Sequence, residues 1–118
     1  MNKVQLIGKI VSDLELRKTP GNISVTTIKV KTVEYFKDKT TGAKKETTEI
    51  HKVVLWRGVA DYVCDRLKKG DLIYVEGKNQ TRFYIDSKGN STKSFEVIGN
   101  KVTLLNSYIK SNTPQYTE

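Results

Sequence analysis

The segment Thr47–Trp56 reads TTEIHKVVLW, and the alternation of its side chains decides how the rest of the chain is interpreted. Successive side chains of a β-strand point to opposite faces, so this segment presents two different surfaces. The mostly apolar face, predicted to line a core, carries Glu49, His51, Val53 and Leu55. The other face, which includes the only tryptophan of the chain, carries Ile50, Lys52, Val54 and Trp56. A cation and an aromatic ring on one face suit a ligand with phosphates and bases, although Trp56 alone is equally consistent with a buried strand end.

Length and composition limit the classes of protein that fit this chain. With 118 residues it has the size of one domain that can bury a sizeable core. The net charge of +8, from 21 basic and 13 acidic residues, favours a polyanionic partner. Cys64 is the only cysteine, so no internal disulfide is expected, which fits a reducing compartment. No cofactor, metal site, membrane span or signal peptide is predicted.

The basic residues concentrate on two segments that resemble hairpins. Lysines are frequent between Lys29 and Lys52, where turn-forming residues occupy positions 38–42, and cations again outnumber acids between Lys78 and Lys93. The second segment contains the polar turn Ser87-Lys88-Gly89-Asn90. Positions 53–77 between them are balanced in charge. The pattern predicts two extended β-hairpins that carry much of the positive charge.

The order of the predicted elements favours a small closed barrel. One helix is predicted at Gly58–Lys69 from the helical spacing of its apolar residues. A shift in the apolar alternation predicts a β-bulge near Thr26–Thr27. The predicted strands are Lys3–Val11, Ile23–Val33, Thr47–Trp56, Asp71–Lys78 and Lys101–Leu105, with Thr81–Asp86 and Ser94–Ile98 forming the second hairpin. An all-β chain with one helix after the third strand fits the five-stranded OB-fold, a Greek-key barrel that binds oligonucleotides or oligosaccharides.

Three runs of residues resemble one family, the bacterial and mitochondrial type of single-stranded DNA-binding protein. They are NKVQLIGKI from Asn2, TEIHKVVLWRGVADYVCDRLKKGDLIYVEG from Thr48, and TRFYID followed by SKGN from Thr81. The resemblance extends from Asn2 to Leu105. It implies an OB-fold domain at residues 1–105 that binds and protects single-stranded DNA in replication, recombination and repair. It further implies a homotetramer in the cytoplasm, associated with the nucleoid, or alternatively in the mitochondrial matrix after removal of a presequence.

The resemblance also implies which side chains bind DNA. The aromatic positions of the family correspond to Phe36, Trp56 and Tyr84, while Ile50 stands where the family usually has a ring. An isoleucine cannot stack on a base, so Tyr35 or Phe83 would have to compensate. The full set of predicted DNA-binding residues is Phe36, Ile50, Lys52, Val54, Trp56, Tyr84, Lys29, Lys31, Lys78 and Arg82. A subunit interface is predicted at His51 and Tyr74.

Two other functions fit the same residues. Stacking surfaces also suit an RNA-binding OB module, and Ile50 in place of a ring favours a primosome-type adaptor that mainly docks proteins. An enzyme is not predicted, because no cluster of acids, histidine or cysteine has catalytic spacing. Residues 106–118 form a short polar tail without the acidic tip by which bacterial members recruit repair enzymes, so no such recruitment is predicted.

Overall fold

The computed structural model describes residues 1–106, which form long β-strands and one helix. The strands are β1 (Val4–Ile10), β2 (Arg17–Lys18), β3 (Ser24–Lys37), β4 (Lys44–Trp56), β5 (Leu72–Ile85) and β6 (Ser91–Leu104). The helix α1 spans Arg57–Arg66 and follows β4 directly. The predicted tail lies outside the described residues except for Asn106, whose side-chain oxygen accepts a hydrogen bond from the amide of Leu72 at 2.6 Å.

The pairing of the strands closes the sheet into a barrel. The order in the sheet is β1-β5-β6-β4-β3-β2, and β1 also pairs with β3. This additional pairing joins the two sides of the sheet, so the five long strands form a ring and the short β2 extends it. All pairs are antiparallel except β4 with β6. The closed five-stranded barrel with one helix confirms the predicted OB-fold.

The barrel interior is filled by alternate side chains of its strands. The fully buried members include Ile10, Ile28, Val30, Val53, Leu55, Ile73 and Val75. Helix α1 adds the buried residues Ala60 and Val63 to this core. The helix is shorter than predicted, because the chain becomes extended at Leu67, which is itself buried in the core. The predicted division of the Thr47–Trp56 strand into a core face and an outer face is correct at Val53 and Leu55.

The bulge predicted near Thr26–Thr27 is wrong. Strands β3 and β4 pair without a register shift along their whole length. The apolar alternation breaks because polar residues occupy core positions at this end of β3, where Ser24 and Thr26 are both buried. The hydroxyl of Thr26 donates a hydrogen bond to the carbonyl of Glu15 at 2.8 Å, which satisfies its polar group inside the barrel.

The irregularity lies elsewhere, between Glu76 and Gly77 of β5, where the register with β6 shifts. Gly77 is required there, because a Cβ at this position would collide with the backbone carbonyl of Ile98. Both strands continue beyond the shift. The predicted division was therefore wrong: the segments predicted at Asp71–Lys78 and Thr81–Asp86 form one strand, β5 (Leu72–Ile85), and those predicted at Ser94–Ile98 and Lys101–Leu105 form another, β6 (Ser91–Leu104).

Two hairpins project from the barrel. We call residues 31–50 the β3–β4 arm and residues 79–97 the β5–β6 arm. Gly42 and Gly89 at their tips have φ angles of 73° and 83°, a left-handed conformation that glycine adopts at low cost. Both arms carry lysines, as the sequence predicted, and they flank the outer face of β4.

Candidate nucleic-acid interface

An open groove of about 490 Å³ lies on the outer face of the barrel. We call it the central groove. It is lined by Arg17, Lys18, Val25, Thr27, Lys52, Val54, Trp56, Arg82, Tyr84 and Glu96. Five strands thus contribute to one surface, and β4 crosses its centre.

Strand register explains why these residues meet. Residues directly opposite each other in an antiparallel pair point to the same face, and Val54 lies opposite Thr27 of β3. The parallel pairing of β4 with β6 then places Val54 beside Ile98. Ile98 in turn faces Lys78 of β5. The outer face of β4 therefore continues across its neighbours in a single row of side chains.

Glu96 is the buried anchor of the central groove, with a side chain only 1% exposed. Its Oε2 lies 3.2 Å from the Nζ of Lys52 and accepts hydrogen bonds from the hydroxyls of Tyr84 and Ser94, both at 3.2 Å. The Nη1 of Arg82 lies 3.8 Å from the other carboxylate oxygen, Oε1. Two cations and a ring are thereby fixed around one carboxylate.

The ionisation of Glu96 follows from these contacts. Burial acts to raise the pKa of Glu96, but the hydrogen bonds from Lys52, Tyr84 and Ser94, together with the charge of Lys52, outweigh it. The pKa of Glu96 therefore lies below its usual value of 4.5, and the carboxylate is ionised at neutral pH.

The ring of Tyr84 is held between cations. The Nζ of Lys52 lies 6.0 Å from the ring centroid and the guanidinium carbon of Arg82 lies 5.4 Å from it, within the range of cation–π attraction. Tyr84 is still 39% exposed. Across the groove Trp56 is half-buried at the end of β4, and Val54, 2% exposed, forms the floor between them. The groove thus offers two partly exposed rings, one on each side of an apolar floor.

The structure brings five predicted binding residues into the central groove: Lys52, Val54, Trp56, Arg82 and Tyr84. Three predicted lysines share the outer face without lining the groove. Lys29 and Lys31 of β3 lie opposite Lys52 and Ile50, and Lys78 is exposed on β5.

Ile50 lies in an adjoining cleft. Its side chain is 51% exposed. The cleft separates the two arms, and Ile50 and Lys52 form part of one wall while Thr81 and Phe95 form part of the other. Because Lys52 and Glu96 line both spaces, the cleft adjoins the central groove.

Phe36 is not brought into the central groove. It is half-exposed near the tip of the β3–β4 arm, and strand alternation places it on the opposite face from Lys29 and Lys31. Its neighbour Tyr35 shares the face of those lysines and is 64% exposed. The Nζ of Lys44 lies 5.1 Å from the Tyr35 ring centroid.

The two residues predicted at a subunit interface lie on separate surfaces. His51 is half-buried on the opposite face of β4 from Lys52, with its Nε2 2.9 Å from the Thr32 hydroxyl. Tyr74 lies on the outer surface of β1 and β5, opposite the exposed Ile7. Its hydroxyl donates a hydrogen bond to Glu76 at 2.8 Å, which fixes the ring against the sheet.

The sequence missed five residues of the central groove: Arg17, Lys18, Val25, Thr27 and Glu96. Val25 and Thr27 line it because they lie opposite Trp56 and Val54 in the β3–β4 pairing. Arg17 and Lys18 belong to the two-residue strand β2, which is too short to show a strand pattern. Two adjacent cations just before the Pro20-Gly21-Asn22 turn were the signal available for them. Glu96 was missed because a single acid between Phe95 and Val97 gives no sign that it is buried and paired.

The central groove combines four cations with two rings and one ionised carboxylate that is already paired. Cations of this kind meet phosphates, and exposed rings stack on bases. Within residues 1–106, no three histidines, cysteines or acids are grouped so that they could hold a metal ion. Over the same range, no helix is long and apolar enough to cross a membrane.

Comparison with known proteins gives a family match for nearly the whole chain. The sequence model of the single-strand binding protein family matches residues 1–105. Single-stranded DNA-binding protein 1 of Xylella fastidiosa (strain 9a5c) is 39% identical over 105 residues, which cover 89% of this chain and 77% of that protein.

Solved structures show the same likeness. The Plasmodium falciparum SSB in complex with ssDNA superimposes with a TM-score of 0.78 at 29% identity, covering 88% of this chain and 92% of that one. A deletion mutant of the single-stranded DNA binding protein from Thermus aquaticus gives a TM-score of 0.78 at 28% identity, covering 89% of this chain and 50% of that one. The chain therefore belongs to the single-strand binding protein family.

Proposed function

We propose that this protein binds single-stranded DNA with little sequence preference, through the central groove. The observation that carries the proposal is the convergence of Trp56 and Tyr84 with Lys52 and Arg82 around the floor residue Val54. Membership of the single-strand binding protein family supports it, as does the similarity to a structure solved with ssDNA. Binding rather than catalysis accounts for all of these side chains.

In the proposed complex some groove residues contact bases and others contact phosphates. Trp56 and Tyr84 stack on bases, a contact worth about 1–3 kcal/mol per base and open to every base, since each has an aromatic face. Lys52 and Arg82 attract phosphates, and Val54 packs against the sugar or base between the rings. This division explains a preference for single strands, because bases in a duplex are already stacked on one another.

Glu96 fixes the positions of groove side chains in the absence of DNA. Its carboxylate holds Lys52 at 3.2 Å and the Tyr84 hydroxyl at 3.2 Å, so both side chains are positioned in the free protein. Ordering a long, flexible side chain on binding costs about 0.5–1.5 kcal/mol. Positioning by Glu96 reduces this cost and so favours binding.

The proposal extends to the surroundings of the groove. Lys29, Lys31, Lys78 and Ile50 share its face and continue the path of the strand. Phe36, on the far face of the β3–β4 arm, meets the DNA only where the strand passes around that arm.

We further propose that the protein acts as a homotetramer that protects single strands during replication, recombination and repair. In this assembly His51 and Tyr74 contact other subunits. The exposure of Ile7, at 59%, beside Tyr74 supports a covered surface at that place. We place the protein in the cytoplasm, on the nucleoid, in line with its family.

Sedimentation of the wild type and of Tyr74→Ala tests the assembly. We expect a smaller species for the variant, and an unchanged species would contradict the assignment of Tyr74 to the subunit interface.

The test of DNA binding is a titration of Trp56 fluorescence with oligo-dT at two salt concentrations. We expect quenching, and an affinity that falls with salt with a log–log slope of about −0.7 per phosphate neutralised. Tyr84→Ala should weaken binding roughly 5- to 150-fold, the equivalent of one base stack. Tyr62→Ala is the matched control, since Tyr62 is also 39% exposed but lies on α1.

Two results would contradict the proposal. Absence of quenching at low salt removes Trp56 from the binding surface. Stronger competition by oligo-rU than by oligo-dT identifies RNA as the preferred ligand instead.

A further inference from the structure

The β5–β6 arm has a second face that the proposed function leaves unused. Alternation turns Arg82 and Tyr84 towards the central groove and their neighbours along the strand to the other side. We call this other side the distal face, and its large side chains are Phe83, Ile85, Lys93 and Phe95. The three apolar members are 67%, 79% and 75% exposed, respectively for Phe83, Ile85 and Phe95. Three large apolar side chains exposed together on one short hairpin indicate a contact surface.

The chemistry of the distal face repeats that of the groove. Phe83 lies directly opposite Lys93 in the β5–β6 pairing, and the Lys93 Nζ is 5.9 Å from the Phe83 ring centroid. On the groove side of the same arm, the Arg82 guanidinium carbon is 5.4 Å from the Tyr84 ring centroid. One strand pair therefore presents a ring with a cation on each of its two faces.

Charge on the distal face is of one sign. The two acids of the segment between Asn79 and Val97 do not lie on it. Glu96 points into the central groove, and Asp86, in the turn, accepts hydrogen bonds from the backbone amides of Lys88 and Asn90. A basic aromatic surface favours a polyanion. Symmetric pairing of this face with a second copy would instead bring Lys93 towards its equivalent.

The cleft between the arms borders both the central groove, at Lys52, and the distal face, at Phe95. Ile50 and Lys52 belong to its β4 side, and Thr81 and Phe95 belong to its other side. Lys52 also lines the central groove. A strand that leaves the groove along Lys52 thus reaches Phe95 through the cleft, and Phe83 is its neighbour on the same face.

We propose that the distal face is a second base-stacking surface for single-stranded nucleic acid, continuous with the central groove through the cleft beside Ile50. This inference rests on the proposed function, because the strand must first occupy the groove. Phe95 and Phe83 provide the rings that Ile50 lacks, and Lys93 meets a phosphate there. The distal face lengthens the bound segment rather than replacing the groove.

The experiment compares the wild type with Phe83→Ala/Phe95→Ala in titrations of Trp56 fluorescence. Two ligands are used, an oligo-dT of about 8 nucleotides, within the range for one OB-fold, and one of about 35 nucleotides. We expect the double variant to bind the short ligand like the wild type and the long ligand at least about fivefold more weakly. Long oligo-dT with 5-iodouracil substituted at single positions should also cross-link under light to peptides containing Phe83 or Phe95.

The outcomes separate this inference from the proposed function. Unchanged affinity of the double variant for the long ligand overturns the distal face, and the groove proposal stands if Tyr84→Ala still weakens both ligands. Failure of the wild type to bind either ligand overturns both proposals. A change in sedimentation of the DNA-free double variant, with equal losses for both ligands, identifies the distal face as a contact between copies and overturns its role in stacking.

Discussion

Ile50→Phe should strengthen DNA binding, because it supplies a ring at a half-exposed position on the proposed path of the strand. Ile50 lies two residues before Lys52 on the same face of β4, and Lys31 lies opposite it on β3. Its side chain is 51% exposed at the cleft, so a larger residue displaces no core packing. The substitution thus changes the surface that meets the strand and leaves the barrel intact.

The size of the effect follows from what the isoleucine already does. A base stacked on a full ring gains about 1–3 kcal/mol relative to alanine. In the proposed complex Ile50 would pack against a base with its aliphatic surface, and burial of apolar area is worth about 25 cal/mol per Å². The aliphatic contact of isoleucine would therefore be worth roughly half of the 1 kcal/mol that is the lower limit for stacking on a ring. We expect a net gain of about 1 kcal/mol, or roughly a fivefold tighter dissociation constant.

Quenching of Trp56 by oligo-dT measures this gain without interference, because phenylalanine adds no tryptophan fluorescence. Ile50→Leu is the control, since it keeps an aliphatic side chain of the same size at the same place. The reasoning requires the phenylalanine variant to bind more tightly than both the leucine variant and the wild type. Equal affinities for the three proteins would show that the strand does not pass Ile50.

Four further predictions concern charge and backbone. Lys52→Ala should weaken DNA binding and make the log–log salt slope of the affinity shallower by up to about 0.7. Lys69→Ala, beyond the end of α1, is the control and should change neither the affinity nor the slope. Equal losses of affinity for the two variants would refute a specific role for Lys52. Because the folded-state pKa of Glu96 lies below 4.5, its carboxylate stabilises the fold fully above that pH, and this stability is lost as pH falls through the folded pKa. The urea midpoint of Glu96→Gln should therefore depend less on pH below 4.5 than that of the wild type, and parallel curves would contradict the ion pairing. Arg57 has a φ of 57°, a strained conformation that costs about 1–2 kcal/mol for a residue with a side chain. Arg57→Gly should therefore raise the free energy of unfolding by about 1 kcal/mol. A lower free energy of unfolding in the variant would contradict strain at Arg57. Gly77→Ala should destabilise the barrel by about 2 kcal/mol or more, since its Cβ meets a backbone carbonyl of β6, and normal thermal melting would contradict this.

The fold was largely predictable because its main signals are local. Alternation in Thr47–Trp56 assigned Val53 and Leu55 to the core correctly, and the turn residues around Gly42 and Gly89 marked both arms. The errors arose where a distant partner decides the outcome. Burial of Thr26 depends on a carbonyl in the preceding loop, and the register shift beside Gly77 depends on β6, so alternation within one segment reveals neither.

The candidate site was predictable only in part, for a related reason. The sequence placed Lys52 and Trp56 on one face because both lie on one strand. That Tyr84 joins them depends on the register of β6 between β4 and β5, which no segment encodes alone. Phe36 shows the opposite case: the family resemblance implied that it binds DNA, but alternation within β3 turns it to the other face of the arm from the predicted lysines.

An acid at the centre of the proposed DNA-binding groove would repel phosphates if it were unpaired, but the carboxylate of Glu96 is paired with two cations. Its side chain is 1% exposed, and Lys52 at 3.2 Å and Arg82 at 3.8 Å stand between it and the open groove. At such separations the attraction within the protein outweighs the repulsion of a phosphate lying farther away beyond the cations. The cost is that Lys52 and Arg82 bring less free charge to the DNA than their number suggests. Arg17 and Lys18 of the short strand β2 also line the groove, so they would add two further cations for phosphate contacts.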